Sequence, residues 1–247
     1  MKGKFSFSKN PTQVDMNPDV PIRLLVYDWD QTLGSGATAG MTKEESEDHP
    51  VTSFIDRPEA MLQNFEKIRA AGIHQAVATY GNGAKIFSIL TRLYAQYGAG
   101  LTNPFHEATV LDPNSIAHEF RIKWPRGRLP PAGTLSMQAE GSDAYRTQID
   151  KVLMCNHLCG AFRVQPGAAM LVDDSRSNID RARAEGFRVF FIDYRKKGKK
   201  AIYEFFEEWD TKWPGGISSS RSFPTRAFIE KKKKESSESS EESDDEY

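Results

Sequence analysis

Short apolar runs alternate with longer segments of helical period through the middle of the chain. The runs are Ile22 to Tyr27, Ile73 to Thr79, Ala169 to Val172 and Arg188 to Ile192, each of the length expected for a buried strand. Ala60, Phe65, Ile68 and Ala71 share one face of a predicted helix between the first two runs, and Ile179, Ala182 and Ala184 mark another before the last. After the last run, Ile202, Phe205, Phe206, Trp209 and Trp213 recur at helical spacing, and this aromatic stripe reads as core rather than as a cofactor box. Strands rich in apolar residues and separated by amphipathic helices predict an α/β domain: a doubly wound, mostly parallel, Rossmann-like sheet with helices on both faces.

The pattern fades at both ends. Residues 1–20 are polar, carry Pro11 and Pro18, and show neither strand nor helix period, so they read as a flexible arm. Residues 21–214 form the expected domain. Residues 215–247 open on a Gly/Ser-rich stretch and continue as lysines followed by Ser, Glu and Asp, the composition of a disordered tail. Inside the domain, residues 98–150 lack sustained periodicity apart from a strand expected at Ala108 to Leu111. This small insertion reads either as a lid that selects substrate or as a decorated surface loop.

Composition narrows the class. With 247 residues and 38% apolar content, the chain can bury one substantial core. No apolar run reaches the length of a membrane span, and the first residues contain no signal-peptide core. The only cysteines are Cys155 and Cys159, too few for a disulfide framework and consistent with a reducing compartment. The expectation is therefore a soluble intracellular protein, cytoplasmic or nuclear. The net charge of -1 hides an asymmetry: from Lys231 to Tyr247 four lysines face seven acids, a net of -3, leaving about +2 elsewhere.

Candidate chemistry sits where the apolar runs end. The first is followed by Asp28-Trp29-Asp30-Gln31-Thr32 and the third by Asp173-Asp174-Ser175. Taken singly, each acid pair also suits a turn or a helix N-cap. Taken together, carboxylates at the carboxyl ends of buried strands repel one another and call for a cation, at the edge of the sheet where open parallel folds bind ligands. A hard, oxygen-seeking ion such as Mg2+ fits that donor set. Thr79 and the turn Tyr80-Gly81-Asn82 follow the second run and offer a hydroxyl and backbone N–H groups for phosphate oxygens at a helix start. Lys151 precedes Val152, Leu153 and Leu158 and can reach the acids from the beginning of a helix.

The order Asp-x-Asp-x-Thr, strand-Thr, Lys, strand-Asp-Asp resembles the haloacid dehalogenase (HAD) superfamily of aspartate-nucleophile phosphatases, over about residues 21–213. The resemblance implies that Asp28 attacks the phosphoryl group and that Asp30 protonates the leaving oxygen and then activates water. It implies that Thr79 binds phosphate and that Lys151 steadies the charge. Mg2+ would be held by Asp28, the backbone carbonyl of Asp30 and Asp174, with Asp173 as a direct or water-mediated partner and Ser175 and Asn178 supporting the loop. Asp30 distinguishes a phosphatase from a dehalogenase, and Trp29 is expected to pack away from the metal.

Members of this superfamily often carry a cap after the first motif or between the second and third. Here residues 34–56 are too few for a large cap and residues 98–150 leave room for a modest one, which implies an open site. The expected substrate is a phosphorylated macromolecule, a protein, phosphotyrosine included, before a nucleic-acid end. A small-metabolite phosphatase and a non-catalytic adaptor are the alternatives. The run Arg195-Lys196-Lys197-Gly198-Lys199-Lys200 follows the last strand and reads either as an attractive patch beside the site or as a solvated loop or import signal. Cys155, His157 and Cys159 suit a packed helix better than a zinc site. Ser239 and Ser243 precede acids in the tail and read either as kinase sites or as part of a solubilising segment.

Overall fold

The computed structural model describes residues 20–35, 47–113, 115–116 and 150–212. Among the described residues five strands, β1 (Leu24–Tyr27), β2 (His74–Ala78), β3 (Val110–Leu111), β4 (Ala169–Asp173) and β5 (Arg188–Phe191), form one sheet in the order β3-β2-β1-β4-β5. Every pairing is parallel. Helices α1 (Pro58–Ala70), α2 (Gly83–Tyr97), α3 (Lys151–Phe162), α4 (Arg176–Ala184) and α5 (Ala201–Lys212) connect or follow the strands. The chain is thus the α/β, doubly wound, parallel Rossmann-like domain that the alternation of apolar runs and helical periods predicts.

Side-chain alternation along the strands builds a core on each face. Leu25 and Tyr27 of β1, with Met170 and Val172 of β4, face Phe65 and Ile68 of α1, Ile86 and Leu93 of α2, and Phe205 and Phe206 of α5. Leu24 and Val26, with Ala169 and Leu171, face Cys155 and Leu158 of α3 and Ile179 and Ala182 of α4. All four residues of β1 are buried, as a central strand covered on both faces requires. The aromatic stripe after β5 is core, as expected: Phe205 stacks edge-on to Tyr27 and to Phe190, with centroids 6.4 and 4.8 Å apart. Trp213 lies outside the described residues.

Boundaries differ from the sequence reading by one or two residues. The first strand begins at Leu24 instead of Ile22, although the pairing continues as a bond from the Arg23 N–H to the Ala168 carbonyl at 2.8 Å. The edge strand is shorter than Ala108 to Leu111, because Glu107–Thr109 closes a 3-10 turn capped by His106. The beginning of the aperiodic segment nonetheless belongs to the sheet, with Phe105, Val110 and Leu111 buried. Residues 1–19 of the expected arm, residues 114 and 117–149 of the expected insertion, and the expected tail with Ser239 and Ser243 lie outside the described residues. None of the described helices is long and apolar enough to cross a membrane.

The strand order sets the functional geometry. From β1 the chain runs outward through β2 to β3, then returns to the other side of β1 for β4 and β5. The switch point therefore falls between β1 and β4, whose carboxyl ends open the crevice where such sheets bind ligands. Asp28 leaves β1 and Asp173 ends β4 on the two sides of that point.

Candidate active site

Asp28 is held at the mouth of the crevice by its own backbone, whose N–H donates to the Val172 carbonyl at 2.8 Å. The following turn folds back on Trp29: the N–H groups of Thr32 and Gly34 donate to the Trp29 carbonyl at 3.2 and 2.8 Å, and Gln31 takes a left-handed φ of 60°. Trp29 is fully buried and packs into the core. Its indole lies so close to Gly34 that a Cβ there would come within 2.8 Å of Cε2 and Nε1. Gly34→Ala should accordingly shift the Asp28–Gly34 turn and lower stability by about 1 to 3 kcal/mol, read as a lower urea midpoint. An unchanged midpoint would show that the turn absorbs the methyl group.

Lys151, the first residue of α3, carries its ammonium into the crevice. It donates to Asp28 Oδ1 and to the Ala78 carbonyl, and lies 3.6 Å from Asp173 Oδ2. The side chain is 1% exposed. Burial alone would lower its pKa, but the carboxylates of Asp28 and Asp173 outweigh that and hold it above the usual lysine range. Asp28 Oδ1 is therefore tied to the Lys151 ammonium, and Oδ2 has no hydrogen-bond partner among the described residues.

The acids of β4 complete the cluster. One carboxylate oxygen from each of Asp28, Asp173 and Asp174 lies within 4.8 Å of the others. Asp173 has no exposed surface and is oriented by the Ser175 N–H at 2.7 Å and by the Asn178 amide at 3.2 and 3.1 Å, so Ser175 and Asn178 do brace this loop. Asp174 is half-buried. Burial first, and then the charge of Asp28, pushes the pKa of Asp173 well above the usual carboxylate range, and the same causes push Asp174 up to about 6. Asp30 is close enough to contribute to that rise. Three carboxylates against one ammonium leave an excess negative charge, and hard oxygen donors at this spacing suit a divalent cation.

The raised carboxyl pKa values have a signed consequence. Asp173 and Asp174 hold their protons more tightly in the folded chain than in the unfolded one, where an Asp titrates near pH ~4. Their contribution to stability is thus greatest at low pH, falls as the pH rises from about 4 through about 7, and levels off above. A divalent ion held by these carboxylates would compete with those protons. Mg2+ affinity measured by calorimetry should strengthen from pH 5 to pH 7.5, with protons released on binding at the lower pH. Constant affinity would remove these acids from the metal site.

Thr79 and its turn lie on the opposite side of Asp28, at the end of β2. Thr79 is fully buried, its N–H donates to the Leu111 carbonyl at 2.9 Å, and its hydroxyl accepts the Gly81 N–H at 2.9 Å. Asn82 caps α2 by accepting the Lys85 N–H at 3.0 Å. The Gly83 N–H donates to Asp112 Oδ2 at 2.8 Å. The Gly81 N–H, expected to be available to a phosphate, thus already has a protein acceptor, and so do the first-turn N–H groups of Gly83 and Lys85. Tyr80 is half-buried, its hydroxyl accepts the Lys151 N–H at 3.3 Å, and its ring lies 5.2 Å from the Lys151 ammonium.

Two site-building residues escaped the sequence reading. Asp112 follows β3 and joins it to the start of α2, taking the Ser115 N–H and hydroxyl on Oδ1 as well. A Cβ at Gly83 would come 3.0 Å from the Val110 carbonyl, which is why glycine opens this helix. Asp150 caps α3, accepting the Leu153 N–H at 2.8 Å. Asp directly after an apolar pair, and Asp directly before a helical run, were the available signals. The cysteines behave as expected: Cys155 and Cys159 are free and buried on α3, and burial pushes the Cys159 thiol up to about 11.

No protein-family model matches the chain, and no curated protein matches it. Among solved structures, DsGPDH of Dunaliella salina is 12% identical, with a TM-score of 0.40 over 67% of this chain. The chain spans 23% of that protein. A HAD family hydrolase from Deinococcus radiodurans R1, solved with bound phosphate and sodium, is 14% identical at a TM-score of 0.38, covering 69% of this chain and 80% of its own. D,D-heptose 1,7-bisphosphate phosphatase from Burkholderia thailandensis is 19% identical at 0.30, covering 74% and 84%. At scores this low, none of the three decides what this chain does. Its own side chains must.

Proposed function

We propose that the chain is a magnesium-dependent phosphomonoester hydrolase that works through an aspartyl-phosphate on Asp28. The observation that carries this reading is the Asp28 carboxylate held between Lys151 and the Asp173–Asp174 pair at the switch point of a parallel sheet. In this proposal Oδ2 of Asp28 attacks phosphorus while the bond to the leaving oxygen breaks, and Asp30 gives that oxygen its proton. Asp30 then takes a proton from water, whose oxygen attacks phosphorus as the bond to Asp28 breaks, releasing inorganic phosphate and restoring both carboxyl groups. Lys151 offsets charge on Asp28 throughout, and the Thr79 hydroxyl donates to a phosphoryl oxygen. Asp28, Asp173, Asp174 and the Asp30 carbonyl would hold Mg2+, which when bound neutralises charge on the phosphoryl oxygens.

The substrate we favour is a phosphorylated protein. Tyr194–Lys197 forms a helical turn directly after β5, on the same carboxyl edge as Asp28. The Tyr194 hydroxyl donates to the Ser35 carbonyl at 2.9 Å, and Lys199 shares a small cleft with Thr32, Gly34 and Ser35. This latches the basic segment to the turn that follows Asp28. Lys196 and Lys197 pair with Asp193 and Glu204, while Arg195, Lys199 and Lys200 are exposed. Such a patch attracts an acidic stretch near the phosphorylated residue.

The test is turnover of p-nitrophenyl phosphate with and without Mg2+, followed by a panel of phosphopeptides, phosphotyrosine included, phosphorylated oligonucleotides and small phosphate esters. Metal-dependent turnover, with the highest kcat/KM on an acidic phosphopeptide, is expected. The advantage of an acidic over a neutral phosphopeptide should shrink as salt rises from about 0.05 to about 0.5 M. A compact metabolite outranking every peptide would replace the substrate assignment. Absence of turnover on the whole panel would leave the adaptor reading.

A further inference from the structure

We infer that Asp150 is a positioning residue for the Lys151 ammonium: its carboxylate pins the first turn of α3 so that Lys151 meets Asp28. The catalytic consequence of this inference rests on the phosphatase reading above, whereas its geometric part does not. Lys151 reaches the crevice from a helix whose start is 123 residues from Asp28 in sequence. A side chain of fixed length can satisfy Asp28 Oδ1 and the Ala78 carbonyl together only if its Cα stays in place. Its Cα belongs to the first turn of a helix, the part that frays when its N–H groups lack acceptors.

Asp150 supplies what that turn lacks. Its Oδ1 accepts the Leu153 N–H at 2.8 Å, and its carbonyl accepts the Met154 N–H at 3.1 Å, closing the turn around Lys151. Its Oδ2 is held by the Arg181 guanidinium of α4, the helix that follows Asp173 and Asp174. A second first-turn donor, the Lys151 N–H, is taken by the Tyr80 hydroxyl from the end of β2. The start of α3 is thus tied to the elements that carry Thr79 and the β4 acids. Asp150 is 7% exposed and touches none of the reacting groups, so its influence passes through Lys151. Arg181 is half-exposed, which makes the cap, not the ion pair, the larger contribution.

The test uses the full chain with Asp150→Ala, Asp150→Asn, Lys151→Ala and the Asp150→Ala/Lys151→Ala double variant. Asn keeps an oxygen for the Leu153 N–H and loses the charge facing Arg181. Asp150→Ala should lower kcat on the aryl phosphate about 10- to 100-fold, Asp150→Asn should restore most of it, and Asp150→Ala should cost nothing further once Lys151 is absent. A second readout needs no turnover: the rate at which Lys151 is acetylated by an N-hydroxysuccinimide ester, followed by peptide mass spectrometry. It should rise severalfold in Asp150→Ala and stay near the wild-type rate in Asp150→Asn. Equal labelling in wild type and Asp150→Ala, or fully additive losses of kcat in the double variant, would overturn the inference. Wild-type protein without phosphatase activity would sink the functional reading alone, and the labelling comparison would still decide the positioning role.

Discussion

Asp28→Asn should reduce kcat on p-nitrophenyl phosphate by at least about a thousandfold, the scale on which loss of a nucleophile is felt. The amide keeps the volume of the carboxylate but has no anionic oxygen to attack phosphorus. It also removes the counter-charge that Lys151 meets on Oδ1, leaving the buried ammonium with the Ala78 carbonyl and with Asp173 at 3.6 Å. A stability loss on the order of 3 kcal/mol should accompany the loss of rate, because breaking a buried pair leaves one charge poorly compensated. The two effects separate experimentally: far-UV circular dichroism and a urea melt report the fold, and steady-state rates report the chemistry. Undiminished turnover in a folded Asp28→Asn protein would exclude Asp28 as the nucleophile.

Lys151→Met should have the largest effect on stability, on the order of 3 to 5 kcal/mol at pH 8 in the presence of a chelator. Without the ammonium, Asp28 and Asp173 face each other in the crevice with no cation between them, and Asp173 has no exposed surface through which water can compensate. The penalty carries a pH signature. As the pH is lowered, Asp173, whose pKa burial and Asp28 already raise, takes up a proton and the repulsion disappears. The difference in urea midpoint between wild type and Lys151→Met should therefore shrink at pH 5. Adding Mg2+ at pH 8 should shrink it too, since the ion supplies positive charge to the same carboxylates. A midpoint equal to wild type at pH 8 with chelator would mean that the carboxylates do not depend on Lys151 for their balance.

In the proposed site, Lys151 and a divalent ion would be complementary cations on one set of carboxylates. The ammonium is built into α3 and touches the crevice floor through the Ala78 carbonyl, whereas the Asp173–Asp174 side stays partly open, with Asp174 half-buried. In the proposed mechanism, fixed charge on one side of Asp28 and exchangeable charge on the other would leave Oδ2 as the atom available for attack. Strand pairing enforces this arrangement, since Tyr27 stands in register with Val77 on one side and Val172 on the other.

Local pattern alone determined much of this protein. Apolar runs four to seven long, too short for helices of ordinary length, fit buried strands, and the helical spacing of Phe65 and Ile68, or of Phe205 and Trp209, fits helices facing them. Acids directly after such runs mark the carboxyl edge of a parallel sheet wherever the strands are later placed, so Asp28, Thr79 and Asp173 were visible as a set. Strand order was not, because neighbours in a sheet are chosen by pairing across long stretches of chain that leave no local period. Only the tertiary structure put β1 between β2 and β4, which turned separate acids into one cluster and brought Lys151 to Asp28. It alone also decided that Asp112 takes the Gly83 N–H and that Asp150 caps α3. A carboxylate finds an unpaired N–H by proximity in space, and single Asp residues at the ends of elements look alike in sequence whether they cap a helix, brace a turn or attack a substrate.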